Sequence, residues 1–221
     1  MNDYHSNIFN HYSQKDALPI ENNSTRNLAI VLNNNQLAFE RFLDLIEKEI
    51  NSTEPKIHIS KPNTTDEQFV SIQVSIDSLI KEDIPVKQVI GLVLTTEIPE
   101  FYSTENDNTK NNITDMVLYS NETLVIIEAK RNQVDATKQL QGQVNQYIQG
   151  VCLDSDEFEI EPFYLSLTWD QIVYCLKNVN DLTNESDPIL RDYLEHIRRS
   201  VPSFFPVQPF FPPYRVTMAS K

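Results

Sequence analysis

ITDMVLYSNETLVIIEAK, residues 113–130, is the stretch on which the fold of this chain turns. Two runs rich in β-branched and apolar residues flank Asn121-Glu122, the signature of two strands joined by a tight turn. If Asn121 and Glu122 are the two loop residues, Ser120 pairs with Thr123, and the same register sets Asp115 opposite Glu128. Directly opposed residues hold their Cβ atoms roughly 4.5–5.5 Å apart, so two carboxylates there repel unless something neutralises them. Lys130, two residues beyond Glu128, projects to the same face.

This arrangement has two readings. In the plain one, Glu128 and Lys130 are a strand-end ion pair of small energetic consequence. In the sharper one, Asp115 and Glu128 hold a divalent cation, magnesium (Mg²⁺) or Mn²⁺, since both prefer carboxylate and water oxygens. The Lys130 ammonium then orients or activates a water, or stabilises a negative transition state.

Outward from the hairpin, the pattern is that of a mixed α/β sheet with helical cover rather than an all-parallel doubly wound fold. STRNLAIVL and QLAFERFLDLIEKEI predict one or two helices ending near Ile50, with Phe39, Phe42, Leu43, Ile46 and Ile50 on one face. KIHIS and QFVSIQVSI alternate with the period of a strand, and VKQVIGLVLTT predicts another. IPEFYSTENDNTKNN reads as a long loop. Residues 135–150 predict a helix with Leu140, Val144, Tyr147 and Ile148 on its apolar side. PFYLSLTW is one more strand, and DQIVYCLKNV and DPILRDYLEHIRRS are two more helices. The Pro- and Phe-rich VPSFFPVQPFFPPYR cannot continue a helix and reads as an arm that wraps its own domain or reaches a protein partner or a second copy. The expected organisation is an N-terminal segment over 1–20, a main domain over 21–180, and a C-terminal helix and arm over 181–221.

Composition removes several alternatives. Only Gly91, Gly142 and Gly150 are glycines, too few for a phosphate-cradling glycine loop. His5, His11, His58 and His196 are scattered, and Cys152 and Cys175 have neither metal-ligand spacing nor a disulfide framework. No serine lies in a nucleophile elbow. No apolar run approaches the roughly 20 residues of a membrane helix, and the N-terminus lacks a signal pattern, so the expectation is a cytoplasmic protein with no membrane partner. Net charge is −14 over 221 residues, which weighs against nucleic-acid binding. Its distribution is uneven: residues 151–190 hold nine acids against one lysine, whereas residues 130–138 hold Lys130, Arg131 and Lys138 against Asp135 alone.

The Asp115, Glu128-Ala-Lys130 pattern resembles the PD-(D/E)XK nuclease superfamily, the restriction-endonuclease-like fold, with Thr114 at the place of the motif's proline. Gln143 and Tyr147 in the following helix are similar to the QhxxY pattern of its RecB-like branches; as an i, i+4 pair they share a helix face. The resemblance covers roughly residues 20–175. It implies a restriction-endonuclease-like core and a Mg²⁺-dependent nuclease acting on DNA in a defence or restriction-type role, with Mn²⁺ able to substitute. It also implies in-line attack that releases a 3′-hydroxyl and a 5′-phosphate. Asp115 and Glu128 would hold the metal, with the Ala129 carbonyl and an acid on the first helix, Glu21, as further ligands. Lys130 would act on the water, and Gln143 and Tyr147 would support the site. Arg131, Lys138 and Gln139 would contact nucleic acid, Gln139 being also a competitor for the role of Gln143.

Each residue has a structural alternative. Tyr147 suits a core position, and Glu21 suits the helix dipole. Trp169 reads as packing. Gly142, mid-helix, reads as a mark of close approach by a strand or a phosphate backbone. The charge itself supports a different class of protein, a non-catalytic acidic module or an inactive nuclease-fold subunit that binds a protein partner.

Overall fold

A computed structural model describes residues 20–52, 57–62, 68–96, 112–130, 136–152 and 160–205, with side chains of the first helix from Ser24 onward. The elements are α1 (Ile20–Asn34), α2 (Gln36–Ile50), β1 (Gln68–Ser75), α3 (Ile76–Lys81), β2 (Gln88–Thr95), β3 (Ile113–Ser120), β4 (Thr123–Ala129), α4 (Thr137–Cys152), β5 (Phe163–Thr168), α5 (Trp169–Leu182) and α6 (Pro188–Ser200). The strands form one mixed sheet in the order β1-β3-β4-β2-β5. β3 runs antiparallel to both its neighbours, β1 and β4, whereas β2 runs parallel to both β4 and β5.

Alternation along the strands divides the apolar side chains between two faces. One face, with Leu92, Leu94, Met116, Leu118, Val125 and Ile127, packs under α1, α2, α5 and α6. The other, with Val89, Val93, Val117, Leu124 and Ile126, packs under α3 and α4. Every residue of β4 is buried, as expected for an inner strand covered on both sides. A single carboxylate, Glu128, lies within that strand.

The Asn121-Glu122 turn is as expected: both residues have positive φ, 44° and 67°, which matches the twist a two-residue hairpin needs. The predicted helices before residue 50 are two, divided at Asn35. Its side chain caps α2 by accepting from Ala38 N at 2.8 Å and donates to Asp187 at 2.7 Å; Asp187 in turn caps α6 through Leu190 N. Trp169 is core, stacked on Phe204 with ring centroids 5.2 Å apart.

Three expectations are corrected. KIHIS forms no strand over its described residues 57–60, because side chains of α2 and its cap satisfy that backbone instead. Asn51 bonds both the N–H and the carbonyl of Ile57, and Glu47 accepts from Ile59 N. The end of the predicted QFVSIQVSI strand turns at Ile76 into α3, an element not expected from the sequence. Gly142 marks no close approach by a strand: among the described residues, a Cβ there would meet nothing within 4 Å. Gly142→Ala should therefore raise stability to urea by about 1 kcal/mol through helix propensity alone. A loss of stability would mean that the space beside the helix is occupied. Most of the predicted 98–112 loop, and the arm beyond residue 205, lie outside the described residues.

Candidate functional site

The β3/β4 register runs from Ser120↔Thr123 to Met116↔Ile127 as predicted. Asp115 and Glu128 are the next pair in that register, but the ladder stops one step short of them. Side chains take over the hydrogen bonds where the main chains part. Thr114 Oγ1 donates to the Ile127 carbonyl at 2.9 Å, and Asp115 Oδ2 accepts from Ala129 N at 2.9 Å. The hairpin thus opens at its far end, and the two acids face the α4 side of the sheet in the opening.

Glu128 is 1 % exposed. Its Oε1 accepts from Gln143 Nε2 at 2.7 Å, and the same amide donates to the Ile113 carbonyl at 3.1 Å. Gln143 is itself buried, in α4, so the helix reaches down to orient the carboxylate. Glu128 Oε2 is buried and has no hydrogen-bond partner among the described residues; Lys130 Nζ stands 3.6 Å from it. The Lys130 backbone N–H is anchored to the Leu94 carbonyl at 2.8 Å, while its side chain remains 24 % exposed.

The electrostatic consequence is a carboxyl pushed up to about 7. Burial is the main cause, and the charge of the adjacent Asp115 raises it further. The Gln143 amide and the Lys130 ammonium pull the other way without cancelling the rise. A buried acid beside a second acid, with one oxygen lacking a donor, is short of positive charge. That deficit is what a cation would fill.

Asp115, Glu128, Lys130, Ala129 and Gln143 are therefore brought together. Tyr147 lies one turn further along α4 in the apolar cluster beneath that helix. Its hydroxyl is pushed up to about 12 by burial, and the groups next bearing on it are Tyr119, Asp83, Cys152 and Glu82 rather than the two carboxylates. Lys138 and Gln139 occupy the first turn of α4, half-buried. Arg131 and the Glu21 side chain lie outside the described residues.

One neighbour escaped sequence reasoning. Gln73 on β1 donates from Nε2 to Asp115 Oδ1 at 3.3 Å, and nothing in the alternating QFVSIQVSI pattern distinguishes it from its neighbours. No protein-family model, curated protein or solved structure matches this chain.

Proposed function

We propose that this chain is a Mg²⁺-dependent nuclease with a restriction-endonuclease-like core, hydrolysing DNA phosphodiester bonds. The observation that carries the reading is the buried, donor-less Oε2 of Glu128, set beside Asp115 with the Lys130 ammonium 3.6 Å away. A purely structural ion pair has no use for the second carboxylate, which raises the energy of the first. Asp115, Glu128 and the Ala129 carbonyl suit a hard cation. Among the described residues no three His, Cys, Asp or Glu side chains gather as a metal cage. Mg²⁺ is ordinarily held by one or two carboxylates, with waters and phosphate oxygens completing the shell.

When bound, the ion would neutralise charge on the scissile phosphate and acidify the attacking water. The protein's own groups do the rest. Gln143 holds Glu128 in one orientation, and the Ala129 N–H holds Asp115. The Lys130 side chain, about a quarter exposed, lies at the wall of the site, where it can orient a water and offset the charge that develops on phosphorus. DNA would be the substrate, with Lys130 and the first turn of α4 on the approach side.

Purified protein should cut plasmid or linear DNA in Mg²⁺ or Mn²⁺ and not in EDTA. Lys130→Ala and Asp115→Asn should each lower the rate by about 10²–10³-fold. Equal cleavage by wild type and both variants would remove the assignment.

The net charge of −14 favours a second reading, an acidic binding module on the same fold that engages a basic protein. Calorimetry separates the two. Mg²⁺ or Mn²⁺ binding that Asp115→Asn abolishes supports the nuclease, whereas a stable protein complex with no metal binding supports the module.

A further inference from the structure

We propose that Gln73 is a positioning residue for Asp115, and that the backbone of β1 is distorted to place it. This rests on the reading of Asp115 and Glu128 as a metal-binding pair.

β1 pairs with β3 at Ile72↔Met116 and at Val74↔Thr114, but Gln73, between them, makes no ladder pair. No residue is inserted, since the register is the same on both sides; the strand is bent in place rather than bulged. The bend is a left-handed backbone at Gln73, φ 52°. That conformation is natural to glycine and tolerated by asparagine and aspartate through local hydrogen bonds, but glutamine has neither advantage. A strained non-glycine residue inside a strand needs a compensating contact.

The contact is with Asp115. Its Oδ1 accepts from the Gln73 amide at 3.3 Å, and its Oδ2 accepts from Ala129 N at 2.9 Å, so donors from the strands on either side fix both oxygens. Glu128 is treated alike, with the Gln143 amide on Oε1. Each carboxylate is thus steered by one glutamine, from an edge strand on one side and from a helix on the other. Amide donors are neutral: they orient the acids and leave their charge available to a cation. Gln73 is exposed, so its amide approaches Asp115 from the solvent side of the opening.

The test compares wild type with Gln73→Gly and Gln73→Ala, using Mn²⁺ as the probe. Glycine accepts the left-handed backbone, so Gln73→Gly should melt at or above the wild-type temperature, and Gln73→Ala below Gln73→Gly. Both should bind Mn²⁺ about 10-fold more weakly by calorimetry, the usual loss when an outer-shell partner is removed. In the cleavage assay kcat should fall with little change in KM for DNA. A Gln73→Gly variant with wild-type Mn²⁺ affinity overturns this inference and leaves the metal pair standing. A wild type that binds no Mn²⁺ overturns the metal pair itself, and this inference with it.

Discussion

Glu128→Gln should make the metal-free protein more stable at pH 8 while abolishing its response to Mg²⁺. The carboxyl is pushed from its ordinary value of 4.5 up to about 7, chiefly by burial and then by Asp115. Between those two values the folded chain binds a proton that the unfolded chain has released. The contribution of this group to stability therefore falls as pH rises through the window, and the full penalty is present above about 7. An amide of the same shape carries no charge, keeps a partner in Gln143 for its oxygen, and can donate to Asp115. In EDTA at pH 8 the variant should gain roughly 1–3 kcal/mol over wild type, a difference that shrinks toward zero as the pH approaches 4.5. Urea unfolding at several pH values measures it directly. Added Mg²⁺ should raise the melting temperature of wild type only, and DNA cleavage by the variant should be lost. If the variant is instead less stable than wild type at pH 8, the Glu128–Lys130 pair is a strand-end salt bridge and the metal reading loses its foundation.

The second large effect is expected at Gly91→Val, and it acts on the frame of the site. Gly91 lies in β2 between Ile126 of β4 and Tyr164 of β5. A Cβ there would stand 2.7 Å and 2.9 Å from two ring carbons of Tyr164, and 3.3 Å from a methyl of Leu140 in α4. The Tyr164 ring thus covers the glycine, and α4 rests on the pair. A branched side chain must displace the ring, the helix or both, which should cost about 3 kcal/mol in urea unfolding. Because Gln143 follows Leu140 by one turn, lifting the helix also withdraws the amide from Glu128. Adding Tyr164→Ala should restore part of the lost stability, since the two changes share one space. A Gly91→Val variant as stable as wild type would show that α4 does not rest where this packing puts it.

The hairpin was the most legible part of the chain. A two-residue loop leaves one register, so Asp115 and Glu128 could be brought together without knowing any other contact. The helical periodicity of α2, α4 and α5 was equally open to reading. The remainder was hidden for physical reasons. In α3, Ile76, Leu79 and Ile80 follow so closely on an alternating strand that six residues cannot announce a change of period. KIHIS has the alternation of a strand, but Asn51 and Glu47 supply its hydrogen bonds from the end of the preceding helix. The separation of β3 from β4 at the acids depends on the hydroxyl of Thr114, whose bond to the Ile127 carbonyl no periodicity reveals. Gln73 is the extreme case, since a left-handed φ at a glutamine leaves no trace in composition.

That same bend has a consequence for how the molecule keeps its own company. β1 is an outer strand of the described sheet, with only β3 beside it. A straight outer strand offers a row of amide and carbonyl groups onto which a strand from another molecule can zip. The turn of the backbone at Gln73 interrupts that row, leaving Gln68–Ile72 on one side and Val74–Ser75 on the other. An incoming strand finds no continuous template past the bend, so the residue that steadies Asp115 also blunts the sheet's exposed border against self-association.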